Sequence, residues 1–446
     1  MKSTYVSTLG LLLLSACGKE SGPAPSAGGG MAAAASPAAA ASPAAAASPA
    51  AAATADLPKG EATYHFGTNP ARTTITFESK TDVTNILGKT SHVGGSATVD
   101  FEKGAGRCHL IVESASLRTG MDDRDRAMLG KMWLDSKQFK TIEFKAEKAT
   151  FTKPASWNID GEFTLHGVTK PLSIVAEVKQ VPDSLAKGLG DGSWVRVRTS
   201  FKVKLEDYNI KIHESAVATV EPVWNVNLVI FGTTAKPAGG VAKVENPLDS
   251  EEMTPGVRAP KVPEEDITGT KFKFGLKPQL VTLKADSVME VENVTAATTV
   301  LSGVVGIDRD KGSALVRLAL PVKSLRTGIE DRDKHLQSAN WLDADKFPTI
   351  TFESTKATRK DPKTWAVEGN FTMHGQSRPV SLDLEVTDLP QELIKKAHWG
   401  DKPGVRCVGQ FKVKLSDHGV KIPDIAVTKV NDTWSIAFSL VGLLAE

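Results

Sequence analysis

Residues 365–386 read WAVEGNFTMHGQSRPVSLDLEV, and residues 157–178 repeat the pattern as WNIDGEFTLHGVTKPLSIVAEV. In both stretches, large apolar residues and one glycine occupy every second position before a His-Gly pair, and alternation with polar residues resumes after it. Successive side chains of a β-strand point to opposite faces, so a period of two gives each strand one apolar and one polar face. The pattern predicts antiparallel strands that bury one face and expose the other.

These stretches belong to a unit that occurs twice in the chain. Residues 117–150 and 325–358 are identical at 17 of 34 aligned positions, at a constant offset of 208. Near the end of each copy the offset becomes 210, where FKVKLEDY at 201–208 matches FKVKLSDH at 411–418. Half identity over a long ungapped block indicates a tandem duplication, and each copy is long enough to form its own core.

Each copy contains about eight strand-like runs separated by turn residues. A sheet of this size must cover its apolar face and hide its edge strands, and closing into a barrel does both. The predicted fold is therefore all-β, with two tandem antiparallel eight-stranded barrels. One helical insertion interrupts the strands of each copy, around Asp122–Trp133 and Glu330–Trp341, and is expected to cap or flank a barrel end.

The chain has 446 residues, which suggests two or three domains at roughly 100–200 residues each. We expect a lipoprotein signal peptide at 1–17, a disordered tether rich in Ala, Pro and Ser at 18–57, barrels at 58–235 and 267–446, and a linker at 236–266. The tether contains the block AAAASP three times in a row, and its regular prolines prevent a continuous helix. The linker is rich in proline and has neither helical nor strand periodicity.

The first 17 residues, MKSTYVSTLGLLLLSAC, have the features of an export signal. Lys2 precedes a short apolar run that ends at Leu14 and is too short to span a bilayer, which takes about 20 residues. The run ends in LSAC, which resembles a bacterial lipobox, so we expect Cys17 to be lipidated; a plain signal peptide with an incidental cysteine is the alternative. Because Gly18 and not Asp follows, analogy predicts an outer-membrane lipoprotein that faces the periplasm.

Composition and motifs exclude several classes of function. Lys and Arg number 54 and Asp and Glu 52, and the resulting net charge of +2 argues against a nucleic-acid-binding protein with a broad basic face. Three cysteines are too few for a four-thiolate zinc site. The sequence has no HExxH, GxSxG or P-loop motif, so we expect a protein that is not an enzyme and needs no metal or cofactor. The oligomeric state stays open.

Two sets of reactive residues are interpreted structurally. The acidic and basic clusters at 122–125 and 330–333 fit the first turn of a helix, where its dipole favours carboxylates; a metal or catalytic role is the alternative. Cys108 and Cys407 fall on inward strand positions that are not equivalent in the two copies. We expect them to be free thiols that pack as small apolar residues.

The second copy carries a longer motif that resembles a known family. Residues 331–352 read DRDKHLQSANWLDADKFPTITF, and residues 368–380 read EGNFTMHGQSRPV. Both are similar to the YceI-like family, in which an Arg-Asp-x-x-Leu helix precedes an aromatic-Asp step, a Phe-Pro-x-Ile-x-Phe strand and a Gly-x-Leu-Thr-x-x-Gly-x-x-x-Pro-Val hairpin. The first copy departs at Met128 and Lys140, where the family usually has Leu and Pro.

This resemblance implies lipocalin-like barrels in extracytoplasmic proteins, several of which bind a polyisoprenoid or another long apolar chain inside the barrel. The residues expected to line such a site are Phe144, Trp157, Phe163, Leu165 and Ile174 in the first copy and Phe352, Trp365, Phe371, Met373 and Leu382 in the second. We expect non-catalytic binding of a polyisoprenoid, an isoprenoid quinone or a similar lipid by a lipid-anchored envelope protein. The alternative is a structural or protein-interaction lipoprotein whose barrels are filled by their own side chains.

The lipidation of Cys17 can be tested directly. Metabolic labelling with a fatty acid should mark the wild-type protein and not the Cys17→Ser variant, because the thiol is the attachment point. Equal labelling of the two proteins, or no labelling of either, would reject the anchor.

Overall fold

The computed structural model describes residues 60–68, 73–153, 155–186, 189–237, 244, 246–249, 257–289 and 292–445. The predicted signal peptide, Cys17 and the tether lie outside these residues. Within them, no helix has both the length and the apolar character required to cross a bilayer.

The first copy folds into one antiparallel sheet, barrel 1. Its strands are β1 (Glu61–Phe66), β2 (Thr74–Lys80), β3 (Asn85–Thr90), β4 (Val93–Asp100), β5 (Ala105–Glu113), β6 (Thr141–Lys153), β7 (Ser156–Leu165), β8 (Val168–Val181), β9 (Trp194–Lys204) and β10 (Val223–Thr233). Neighbours run in the order β1-β4-β5-β6-β7-β8-β9-β10. Strand β10 pairs with β1 near Thr233, and this pairing closes a ring of eight strands. Over Asn225–Val229, β10 pairs with β2 instead, so the β2–β3 hairpin adds two further strands to the sheet.

The second copy, barrel 2, repeats this topology strand for strand. Its strands are β11 (Thr270–Phe274), β12 (Val281–Val288), β13 (Asn293–Thr298), β14 (Ser302–Asp308), β15 (Ser313–Pro321), β16 (Thr349–Arg359), β17 (Thr364–Met373), β18 (Gln376–Leu389), β19 (Gly404–Lys414) and β20 (Thr433–Leu444). Pairing of β20 with β11 closes this ring. The prediction of two closed eight-stranded antiparallel barrels is confirmed.

The helical insertions differ in detail from the prediction. The helices are α1 (Asp122–Leu129) and α2 (Asp183–Ala186) in barrel 1, and α3 (Glu330–Gln337) and α4 (Gln391–Lys396) in barrel 2. The first helix of each copy therefore ends before the tryptophan to which it was expected to extend. After Leu129 the chain folds back, and the amides of Leu134 and Ser136 donate to the carbonyls of Met128 and Leu129, which ends the helix and starts a tight turn. The short helices α2 and α4 were not foreseen.

The two barrels contact each other through equivalent residues of the β2–β3 and β12–β13 hairpins. Thr74 Oγ1 donates to the carbonyl of Asn293 over 3.2 Å, and Thr282 Oγ1 donates to the carbonyl of Asn85. Thr74 and Thr282, like Asn85 and Asn293, are repeat equivalents at the offset of 208. The contact is therefore two-fold-like, in the manner of an isologous dimer interface made within one chain.

Barrel 1 also inserts two side chains into barrel 2 at this contact. Val83, which is 1% exposed, packs in a cluster with Leu280, Ile394 and Trp399. Lys89 is 9% exposed, and its ammonium group donates to the carbonyls of Thr295, at 3.3 Å, and of Arg326. Burial at the contact is the main reason that the pKa of Lys89 falls from its ordinary value of 10.5 to about 7.

The buried lysine should make stability depend on pH. Between about pH 7 and pH 9 the unfolded chain keeps the Lys89 proton while the folded chain releases it, so the free energy of unfolding should rise with pH through this contribution. A Lys89→Met variant, which retains length and removes the charge, should lack that rise, whereas Lys202→Met on the exposed face of β9 should behave as wild type. Urea midpoints measured across this range check the difference; parallel pH profiles for wild type and Lys89→Met would contradict the assignment.

Candidate ligand-binding cavities

Each barrel encloses an apolar cavity. The cavity of barrel 1 has a volume of about 220 Å³ and that of barrel 2 about 140 Å³. In barrel 2, Thr351 is the single lining residue with a hydroxyl, amide or charged side chain. Apolar cavities of about 150 Å³ stay dry and accept small apolar guests, so both interiors have the size and character to hold part of a hydrocarbon.

All ten residues expected to line a binding site lie on these cavity walls. Phe144, Trp157, Phe163, Leu165 and Ile174 line the cavity of barrel 1, and Phe352, Trp365, Phe371, Met373 and Leu382 line that of barrel 2. Their role in holding a ligand stays a prediction. The alternation along β6, β7 and β8 and along β16, β17 and β18 places them there, because alternate side chains of a closed sheet point to its interior.

Aromatic rings form the wall at one end of each cavity. Phe163 stands edge-on to Phe201 at 5.7 Å and to Tyr208 at 5.6 Å between ring centroids. In barrel 2, Phe371 is 5.4 Å from Phe411 and 5.5 Å from His418. The edge-to-face geometry fixes these rings in place, since such pairs are favoured by about 0.5–1.5 kcal/mol beyond their buried area.

The inward glycines of β7 and β17 make room for a neighbouring ring. A Cβ atom at Gly161 would lie 2.9 Å from Cζ of Phe144 and 2.5 Å from the carbonyl oxygen of Lys145. At Gly369 the corresponding distances to Cζ of Phe352 and to a backbone oxygen are 2.7 and 2.5 Å. A register shift in the facing strand lies beside each glycine. The glycines thus accommodate a bulge and the ring of a predicted lining residue.

The barrel wall separates between β8 and β9. Their ladder runs only from the pair Ala176–Thr199 to the pair Val181–Trp194, so β8 up to Val175 and β9 from Ser200 onward have no partner on this side. In barrel 2 the ladder likewise begins at the pair Leu384–Gly409. We call these two places the forks. Ile174 and Phe201, the next inward residues on the unpaired side, both line the barrel 1 cavity.

The helical insertions close one end of each cavity. Met128, Trp133 and Leu134 line barrel 1, as Leu336, Trp341 and Leu342 line barrel 2. The carboxylate of Asp125 accepts from the amide and hydroxyl of Thr119 at 2.6 and 2.5 Å. Asp333 accepts in the same way from Thr327 at 2.5 and 2.6 Å. These buried carboxylates hold the first turn of each helix against the loop that precedes it, and the acidic residues of both clusters lie in that first turn, as the structural interpretation expected.

The two expected free thiols each belong to one cavity wall. Cys108 on β5 lines barrel 1, Cys407 on β19 lines barrel 2, and neither forms a disulfide. Burial raises the pKa of Cys108 to about 11 and that of Cys407 to about 12. Both thiols are therefore protonated at neutral pH and contribute apolar surface and no nucleophile.

Several lining residues were not predicted. Among them are Phe77, Phe201 and Trp224 in barrel 1 and Leu384, Phe411, Trp434 and Phe438 in barrel 2. Phe201 and Phe411 begin the repeated FKVKL segments, in which apolar residues alternate with lysines, so the period alone could have nominated them. Phe77 and Phe438 occur at positions where the copies differ, and only the closed ring shows that they face the same interior as the others.

Comparison with known proteins gives the family. The YceI-like domain matches this chain twice, at residues 66–230 and 272–442. A UPF0312 protein of Vibrio cholerae is 33% identical over 102 residues, which are 22% of this chain and 50% of that protein. A UPF0312 protein of Yersinia pestis is 32% identical over 108 residues, 24% of this chain and 53% of that protein. The chain thus spans about half the length of the curated relatives it matches.

Some solved structures are also similar to this chain, at lower sequence identity than the UPF0312 proteins. BcnA of Burkholderia cenocepacia is 20% identical, with a TM-score of 0.33, and the match covers 37% of this chain and 98% of BcnA. A polyisoprenoid binding domain from Saccharophagus degradans, implicated in plant cell wall breakdown, is 13% identical, with a TM-score of 0.30, covering 39% of this chain and 98% of that domain. Since the two family matches together cover most of the sequence, the chain belongs to the YceI-like domain family and carries that domain twice.

Proposed function

We propose that each barrel binds a long apolar molecule, such as a polyisoprenoid, an isoprenoid quinone or a similar lipid, and that it does so without catalysis. The observation that carries the proposal is the pair of cavities enclosed by apolar walls inside closed barrels. Membership of the YceI-like family, whose resemblance implied the same ligand class, agrees with it. The thiols in the walls are held protonated, so they offer no nucleophile to a guest.

Burial of hydrocarbon would supply the affinity. Each CH₂ group removed from water contributes about 0.8 kcal/mol, so a segment of about ten carbons gives roughly 8 kcal/mol before the costs of association. Those costs are about 4–15 kcal/mol, so a short fragment binds weakly and a chain long enough to fill the cavity binds better. The arrangement therefore favours an extended chain over a small apolar molecule.

The alternative is a structural lipoprotein whose barrels are filled. Cavities of 220 and 140 Å³ support the ligand-binding function over this alternative, because close-packed protein interiors leave few voids larger than a water molecule. We further propose that the protein acts at the cell envelope, attached to the outer membrane through Cys17, which would place both barrels next to a source of lipid.

Native mass spectrometry and solvent extraction of the purified protein test the function. Wild type should carry extractable lipid, and Phe163→Arg and Phe371→Arg should each lose the share held by one barrel, because an unpaired charge in a dry apolar wall is costly. The matched controls Glu162→Arg and Asn370→Arg change the adjacent outward positions and should retain the wild-type amount.

Thermal unfolding of each variant separates lost binding from lost structure, and Phe163→Gln replaces the arginine variant where folding fails. A wild-type extract free of lipid, from protein that also takes up none of the apolar chains offered, would favour the filled-barrel alternative. Retention of full lipid by both arginine variants would reject the lining assignment.

A further inference from the structure

The two cavities differ although the framework around them is the same. Their volumes are about 220 Å³ in barrel 1 and 140 Å³ in barrel 2. The strand order is the same in both barrels, and β8, β9 and β10 pair in the same register as β18, β19 and β20, so we compare the inward side chains of these strands. Phe163 and Phe371, like Trp157 and Trp365, are conserved between the copies and cannot account for the difference in volume.

Three laterally adjacent positions carry a coordinated change. They are Ala176, Thr199 and Leu228 in barrel 1 and Leu384, Gly409 and Phe438 in barrel 2. In both barrels the middle residue pairs with the other two across neighbouring ladders, so each trio is one continuous row on the inner wall. Two residues become larger in barrel 2 while the central one loses its side chain.

In barrel 2, the two large side chains meet over the glycine. A Cβ atom at Gly409 would lie 2.5 Å from Cδ2 of Leu384 and 2.7 Å from Cζ of Phe438. The space above the glycine is therefore already occupied. Phe438 is also 6.5 Å from Phe411 between ring centroids, which extends the aromatic wall that begins at Phe371. This row projects into the cavity of barrel 2.

In barrel 1, the side chains of the same row reach less far into the cavity. The hydroxyl of Thr199 turns to the wall and donates to the carbonyl of Val175 over 2.9 Å. Its neighbours Ala176 and Leu228 are short, and Thr199 and Leu228 both line the larger cavity. The interior here is open where barrel 2 is filled.

In barrel 1, the bulky side chains lie instead on the side of β10 that pairs with β2, opposite β9. The ring centroids of Phe77 on β2 and Trp224 are 5.6 Å apart. A Cβ atom at Gly88 would lie 2.0 Å from Cζ of Phe77. The equivalents of Phe77 and Gly88 in barrel 2 are Ala285 and Ala296, which line an open part of that cavity. Each barrel thus has one ring over a glycine that the other lacks, Phe77 over Gly88 in barrel 1 and Phe438 over Gly409 in barrel 2, so the cavities differ in shape as well as in size.

The trio also begins the ladder at the fork. Ala176 and Thr199 form the first pair of β8 and β9, and Leu384 and Gly409 hold the same place in barrel 2. Beyond this pair the two strands separate, and inward residues on both unpaired segments line the cavity. The size of the side chains at the fork therefore determines the width of the cavity that is available to an apolar ligand lying along this wall.

We propose that the trio at the fork gives the two barrels different ligand selectivity, barrel 1 taking a longer or bulkier apolar chain than barrel 2. This rests on the proposed function, since it assigns a ligand size to each site. In one protein, the duplication would then hold two guests of the same chemical class and different length.

The experiment uses the full chain with Cys17→Ser and one barrel blocked at a time. Phe371→Arg leaves barrel 1 open, and Phe163→Arg leaves barrel 2 open. The probes are all-trans isoprenoid alcohols of about 10, 15 and 20 carbons, whose affinity should rise with each carbon that the cavity can bury. With barrel 1 open, affinity should increase from the shortest to the middle probe by about tenfold or more; with barrel 2 open, it should show no such increase.

Exchange of the trios should exchange the profiles. Leu384→Ala, Gly409→Thr and Phe438→Leu together should give barrel 2 the gain with length, and Ala176→Leu, Thr199→Gly and Leu228→Phe should remove it from barrel 1. Phe438→Leu alone, which removes the ring that covers Gly409, is the variant to use if the triple exchange does not fold. It should move the profile of barrel 2 in the same direction.

The outcomes separate this proposal from the function on which it rests. Binding by both open barrels with identical length profiles, or profiles unchanged by the exchange, would overturn the selectivity and leave lipid binding intact. Failure of every probe to bind either open barrel would overturn both. A reversed preference, with barrel 2 taking the longer chain, would contradict the assignment of the trio.

Discussion

The structure depends on one constraint, the closure of an antiparallel sheet on itself. Once β10 hydrogen-bonds back to β1, every strand in the ring has a neighbour on both sides, and every second side chain points into the interior. The inward residues must then be apolar, because a polar group in such a space needs a partner that the wall does not supply. Fold, core and candidate site are therefore the same set of positions.

Much of this could be predicted because the constraint leaves a direct trace in the sequence. The period of two identified the strands and their dry faces, and repeat comparison supplied the same result twice, which is why all ten nominated residues line a cavity. The end of the first helix could not be predicted, because it depends on backbone hydrogen bonds from Leu134 and Ser136 that form only when the chain turns back. Hollowness could not be predicted either, since periodicity gives the direction of a side chain and not the space left between opposite walls.

Comparison of the copies shows how an interior can change while its frame does not. The frame is kept by paired features that recur at the same register, such as the ring of Phe144 over Gly161 and that of Phe352 over Gly369. Variation is found where an aromatic ring in one copy replaces a smaller residue of the other while the strand pairing stays the same, as Phe77 replaces Ala285 and Phe438 replaces Leu228.

The contact between the barrels shows a second consequence of duplication. In a dimer of identical chains, any substitution near the two-fold axis occurs twice, so a lysine placed there would face its own copy. Here the repeat equivalent of Lys89 is Ala297, so no second lysine stands at the equivalent position. The ammonium group of Lys89 donates to carbonyls of barrel 2. The pair formed by Lys284 and Glu78, 3.0 Å apart, is asymmetric in the same way, since Thr76 is the counterpart of Lys284. Joining the copies in one chain thus permits an ion pair such as Lys284–Glu78 to occur once across the contact, whereas a symmetric dimer would have to repeat it.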